Sequence, residues 1–201
     1  MTGKQKSIIT RYTSKKLIIY IYCIIKYFNK PKKNNMKDTI IQEIWRQYGA
    51  ALDMLENALD KCPESLWDDE NKFWYNAYHC LFFTDYDLTT EPDNFHPPEP
   101  YTLSEMDPSG IMPERIYTKA ELISYIRHCR EKFRKLISSK SHDIFTMRWN
   151  NKRRDHTMTE HLLHSMRHIQ HHTGQLNMLL GKVDHNLPVW VSQTKSELLS
   201  I

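Results

Sequence analysis

Histidine is the residue type in this chain whose number and spacing most suggest chemistry. The chain has eleven histidines, and five of them lie between His161 and His172. His168 and His172 are four residues apart in a stretch with helical periodicity, so their Cβ atoms lie on one face, roughly 5–6 Å apart. Two imidazoles at that separation can bind one metal ion. His171 points towards solvent on the same helical wheel and His164 lies off the line of the pair, so neither is expected to bind the ion.

A third histidine, His79, lies in the middle of an aromatic helical face. An imidazole on a core-facing side needs a polar partner or a metal ion. It is either a buried ring hydrogen-bonded to a carbonyl or a tyrosine hydroxyl, or a third nitrogen ligand opposite His168 and His172. Three such ligands leave coordination positions open, which is typical of catalytic sites. The pair alone is weak evidence, because His-x-x-x-His arises by chance in a histidine-rich helix.

Four amphipathic helices are predicted to position these histidines, since apolar residues recur at three- and four-residue steps in each. The predicted ranges are 36–62, 68–88, 118–139 and 157–181. The last two begin with capping boxes, Thr-Lys-Ala-Glu and Thr-Met-Thr-Glu. The chain has only three valines and few runs in which apolar and polar residues alternate, and this scarcity disfavours a sheet. The fold class is therefore predicted to be all-α, with a four-helix bundle as the default architecture.

Residues 91–117, here called the flap, form the long connection between the second and third predicted helices. The flap has six prolines, and a connection of this length usually has a function or packs over another element. We expect it to pack against the helices and to affect substrate choice more than metal affinity. A loop that covers the far end of the bundle is the alternative. The apolar residues that favour packing are Phe95, Tyr101, Leu103, Ile111 and Met112.

Two segments, AYHCLFFTDY at 77–86 and HIQHHTGQL at 168–176, closely resemble the motifs of the DinB-like (DinB/YfiT) superfamily. Members of that family are four-helix bundles with a His…His-x-x-x-His metal triad whose last histidine precedes a Gly-Gln pair. The resemblance covers about 36–181, including the order and separation of the motifs. It implies that His79, His168 and His172 are the metal ligands.

The resemblance also implies a divalent transition metal (Zn, Ni, Fe or Mn) and a reaction on a small molecule. Some members are thiol-dependent S-transferases or isomerases that use low-molecular-weight thiols, and this is the activity expected here. A metal-dependent hydrolase and a non-catalytic, stress-related metal-binding bundle are the alternatives. Gln175, one turn after His172, is expected either to hydrogen-bond to a ligand or substrate or to be solvated. A homodimer is one candidate assembly.

Composition excludes several other classes. The five glycines are dispersed, which excludes a phosphate-binding loop and a dinucleotide-binding fingerprint. The net charge is +4, but residues 1–35 contain nine basic residues and no acidic one. The remainder has nineteen basic against 24 acidic residues, which argues against nucleic acid as the partner. Four cysteines without CxxC spacing indicate reduced thiols and a cytoplasmic protein.

Residues 1–35 are expected to be a basic N-terminal extension that is disordered or lies upstream of the true start at Met36. Their apolar run, 17–25, is well below the roughly 20 residues that span a membrane, and no small-residue cleavage site follows. An anchor lying in the membrane interface is the alternative. The domain that carries the histidines is predicted to be 36–201.

Overall fold

Four long helices and a short hairpin make up most of the part described by the computed structural model, which is residues 36–139, 143–183 and 187–198. The predictions for residues 1–35 lie outside the described residues. From Ile40 onward the chain forms one compact unit. The elements in chain order are α1 (Met36–Lys61), α2 (Glu64–Trp67), α3 (Phe73–Asp87), α4 (Lys119–Ser138), β1 (Arg148–Asn150), β2 (Asp155–Thr157) and α5 (Met158–Val183). The described part of the chain is thus mostly helical, as predicted.

Helix starts follow local hydrogen bonding at two of the predicted capping boxes. Before α4, the Thr118 hydroxyl accepts from the Glu121 backbone N–H while the Glu121 carboxylate accepts from the Thr118 N–H. Before α5, the Glu160 N–H donates to the Thr157 hydroxyl at 3.2 Å. Both helices therefore begin within a residue of the predicted position.

The second predicted helix begins later than predicted. The one-turn helix α2 ends at Trp67, residues 68–72 form a turn, and α3 begins only at Phe73, after Lys72 with φ 50°. Asp68 accepts hydrogen bonds from the indole of Trp74 at 2.6 Å and from Lys72 at 2.9 Å. Its carboxylate thus ties the turn to α3 instead of interacting with the start of a helix.

The core lies between the long helices, with α3 in contact with both α4 and α5. On α1, the Tyr48 ring stacks on Phe133 of α4 at 4.1 Å, and its hydroxyl hydrogen-bonds to Ser165 of α5 at 2.9 Å. An aromatic ring with a satisfied hydroxyl therefore joins three helices. Fully buried core residues of α1 and α3 include Leu52, Leu55, Leu59, Ala77, Leu81 and Phe82.

A two-stranded antiparallel hairpin, β1–β2, leads into α5, although the sequence disfavoured any strand. Trp149 in β1 is fully buried, stacks on the His161 ring at 3.8 Å and donates its indole N–H to the Thr89 carbonyl at 2.8 Å. This buried anchor fixes the hairpin against the end of α3. Three-residue strands are too short to produce a recognisable alternating pattern.

The flap packs against the helices at several points, but its stretch 106–112 is exposed. Phe95 and Tyr101 are buried, and the Tyr101 ring stacks on Tyr125 of α4 at 4.0 Å. Ile111 and Met112 are exposed, and so is Leu103, against the expectation that they would pack. The described C-terminal segment, 187–198, contacts α1 through Thr194 and Ser196. None of the described helices is long and apolar enough to cross a membrane.

Candidate metal centre

Helices α3 and α5 bring His79, His168 and His172 together. One ring nitrogen from each lies within 4.8 Å of the others, and all three residues are half-buried. The ring centroids are 4.5 Å apart between His168 and His172, 4.9 Å between His79 and His172, and 5.7 Å between His79 and His168. The predicted convergence is confirmed, and three imidazoles in this arrangement could hold a metal ion.

The His79 ring is oriented by a carboxylate from the flap. Glu105 lies in a short 3-10 turn, Leu103–Met106, and its Oε2 atom is 2.6 Å from Nδ1 of His79. As an acceptor for the Nδ1–H group, the carboxylate favours the tautomer in which the Nε2 lone pair can bind an ion. The Glu105 side chain is only 3% exposed. A buried carboxylate that fixes the tautomer of a ligating histidine is a common feature of metal sites.

The His172 ring is oriented by the amide of Asn76. Oδ1 of Asn76 is 2.7 Å from Nδ1 of His172, so this ring also donates from Nδ1 and has Nε2 free. Asn76 lies one turn before His79 on α3, so the helix that supplies one candidate ligand also orients a second. Gln175 is half-buried, and its side-chain hydrogen bond with His172 acts to raise the pKa of that ring.

The candidate ligands on α5 are held in the neutral form that a metal ion needs. Burial, and then the neighbouring imidazole, lower the pKa of His168 to about 4. Burial and the nearby His79 likewise lower the pKa of His172 to about 4. Nδ1 of His168 is buried and has no hydrogen-bond partner among the described residues. Such an orphaned nitrogen fits a site in which the missing partner is an ion.

Aromatic rings and one further carboxylate oxygen enclose the triad. The Phe83 ring lies 4.9 Å from the His79 ring and 6.0 Å from the His168 ring. Burial, and then the Glu105 carboxylate, raise the pKa of Tyr75 to about 12. The second oxygen of Glu105, Oε1, is buried without a hydrogen-bond partner among the described residues. It is therefore available for a further hydrogen bond beside the candidate ligands.

The histidines that were not expected to join the triad stay outside it. His171 is exposed on α5. His164 lies near His156 and His161, with ring centroids 5.9 Å away from each. His161 is fully buried, and its Nε2 atom is 3.3 Å from the Asp87 carboxylate.

Two residues of the site were not found from the sequence. Asn76 could have been found, because it lies three residues before His79 on the same helical face. Glu105 is 26 residues away along an irregular connection, and no local periodicity relates its side chain to His79.

The donor set suits a transition metal. Neutral imidazole nitrogens favour zinc, copper, iron or nickel over the oxygen-preferring magnesium and calcium. Three protein ligands leave room for further ligands on the ion. Comparisons of this chain with protein-family models, with curated proteins and with solved structures gave no match.

Proposed function

We propose that the chain is a DinB-like metal-binding four-helix bundle. The support is the combination of the quoted motifs with the fold that carries them. The motif around His79 is on α3 and the His-x-x-x-His motif is on α5. One nitrogen from each of the three rings lies within 4.8 Å of the others. Four long helices in the order expected of such a bundle supply the scaffold.

We infer that the metal centre acts on a small molecule, and that thiol-dependent S-transfer is its reaction. A divalent ion bound by three neutral nitrogens keeps its full charge and lowers the pKa of a thiol or water that reaches it. The half-buried triad is reachable from outside, which favours a reactive centre over an enclosed structural ion. This convergence of three imidazoles is the observation that carries the proposal.

The reacting thiol would come from a second molecule. Cys62, Cys80 and Cys129 are buried and unpaired. Burial raises the pKa of Cys62 and of Cys80 to about 12 and raises that of Cys129 as well. These thiols stay protonated near neutral pH and are poor nucleophiles. Within the described residues, the triad therefore needs an external thiol.

A metal-dependent hydrolase is the second candidate, and Glu105 favours it. Hydrolysis needs a general base beside the ion, and the sequence alone indicated none. The unpartnered Oε1 atom of Glu105 is a buried carboxylate oxygen on a residue that contacts His79. It could accept a proton from an attacking water. A thiol that binds as a thiolate has no proton to give to Glu105. Thiol transfer therefore has no use for this carboxylate as a base, whereas hydrolysis does.

Cobalt substitution tests the thiol proposal directly. The cobalt-loaded protein is titrated with a small thiol such as 2-mercaptoethanol, and its absorption spectrum is recorded. We expect a new sulfur-to-cobalt charge-transfer band that saturates with thiol. The band should be absent from His168→Ala and present in His171→Ala, because only His168 belongs to the triad. A cobalt spectrum that does not respond to thiol would contradict thiol transfer and favour the hydrolase or a non-catalytic ion.

A further inference from the structure

A cavity of about 620 Å³ opens beside the metal centre, between the flap and the β1–β2 hairpin. Two of its lining residues also contact the triad. Glu105 hydrogen-bonds to His79, and Phe83 packs against His79 and His168. A molecule in this cavity therefore lies within one side chain of the candidate ligands. The volume is in the range of pockets that enclose small organic molecules.

The hairpin turn forms a positively charged wall of this cavity. The turn is rigid, because Oδ1 of Asn151 accepts from the backbone N–H groups of Arg153 and Arg154 at 2.8 Å each. Arg154 is partly neutralised by the buried Asp87 carboxylate, 3.9 Å away. Lys152 and Arg153 are exposed, line the cavity and form no ion pair with any described residue. A fixed turn thus presents two uncompensated cations to the cavity.

The flap side of the cavity is acidic, and α3 contributes two aromatic side chains. Asp93 and Asp107 line the flap side, and Asp107 accepts hydrogen bonds from Ser109. Phe83 and Tyr86 line the cavity from α3. Opposed charges across one small cavity suit a molecule that is negative at one end only. They disfavour a polyanion, which the acidic wall would repel.

We propose that this cavity binds a small organic anion, with its carboxylate or phosphate group held by Lys152 and Arg153. The rest of the molecule contacts Phe83 and Tyr86 and extends towards the three histidines. Charge-assisted hydrogen bonds from a lysine and an arginine are the usual means of recognising such groups. The identification of the bound anion as the substrate rests on the proposed function, whereas the binding of the anion does not.

Calorimetric titration of the full chain after removal of metal by a chelator tests the binding alone. Succinate and inorganic phosphate are the probes, each at constant ionic strength, and their relative affinities distinguish a carboxylate site from a phosphate site. For the preferred probe, the double variant Lys152→Ala/Arg153→Ala is expected to lose about tenfold in affinity or more. The control is Arg127→Ala, which removes an exposed cation of α4 that does not line the cavity. Its affinity should equal that of the unmodified chain.

Equal affinities in the double variant and the unmodified chain would overturn the proposal. A second result would also overturn it: a single-stranded oligonucleotide binds more tightly than either probe, and the double variant abolishes that binding. The hairpin would then be a polyanion-binding surface. The titrations use metal-free protein. Their results therefore do not depend on whether the metal-loaded protein reacts with thiols. Failure of the anion site and failure of the proposed reaction are thus observed separately.

Discussion

Oε2 of Glu105 lies 2.6 Å from Nδ1 of His79, so a flap residue orients a candidate metal ligand of α3. The flap was expected to influence substrate choice more than metal affinity. This hydrogen bond makes the flap part of the candidate metal centre itself. We therefore expect the flap to affect metal affinity as well.

The Glu105–His79 bond gives the first prediction. Glu105→Ala leaves Nδ1 of His79 without its acceptor, so the ring loses its fixed tautomer and orientation. We expect the affinity for zinc to fall by roughly 10–100-fold, the effect typical of removing such a partner. Competition with a chromophoric chelator measures the change. Glu114→Ala removes an exposed flap carboxylate and is the control. An unchanged zinc affinity in Glu105→Ala would show that the bond does not support the site.

A second prediction concerns the contribution of Asp85 to stability. This residue of α3 is fully buried. It accepts hydrogen bonds from Tyr125 at 3.0 Å and from Lys132 at 2.6 Å, and His128 lies 3.3 Å away. Asp85→Asn leaves the Lys132 ammonium without its counter-charge, so we expect a loss of about 3 kcal/mol in the free energy of unfolding. Urea denaturation at neutral pH measures it. Asp60→Asn, at an exposed site on α1, is the control and should change little.

The same carboxylate predicts a pH dependence. Burial alone would raise the pKa of Asp85, but the hydrogen bond from His128 and the charge of Lys132 outweigh it, so the pKa lies below the ordinary 3.8. The unfolded chain therefore takes up this proton first as the pH falls. Stability from Asp85 is complete above the unfolded pKa and is lost as the pH falls towards the folded one. Asp85→Asn should lose less stability than the unmodified chain on acidification below about pH 4. Parallel acid-induced losses in both proteins would contradict this.

A fourth prediction concerns the imidazoles of α5. Because burial lowers the pKa of His168 and His172 to about 4, both rings should remain neutral from pH 7 to pH 5 in the metal-free protein. An unperturbed histidine is largely protonated at pH 5. Ring nitrogen chemical shifts, followed by NMR over this range, should stay constant for both residues. Protonation of either ring with a midpoint near 6.5 would contradict the environment described for the site.

Local sequence signals predicted the parts of this molecule that local interactions determine. The Thr118–Glu121 capping box marks the start of α4 because its hydrogen bonds join residues three positions apart. The face shared by His168 and His172 follows from helical geometry alone. The position of His79 opposite them came from its place in an aromatic helical face and from the family resemblance. The rings then met as expected.

Tertiary interactions decided what the sequence did not predict. Asp68 was expected near a helix start, but it accepts a hydrogen bond from Trp74 six residues later, and α3 begins after it. The hairpin depends on the burial of Trp149 against Thr89, sixty residues away. Glu105 reaches His79 through an irregular connection whose path no periodicity describes. In each case the partner lies beyond the range of a helical or strand repeat.

Metal content of single-alanine variants tests the central claim, that His79, His168 and His172 together bind one divalent ion. Each protein is loaded with zinc, dialysed and analysed by mass spectrometry for metal per chain. We expect about one equivalent in the unmodified chain and in His171→Ala, and almost none in His79→Ala, His168→Ala or His172→Ala. A full equivalent retained by His168→Ala, or none bound by the unmodified chain, would contradict the account.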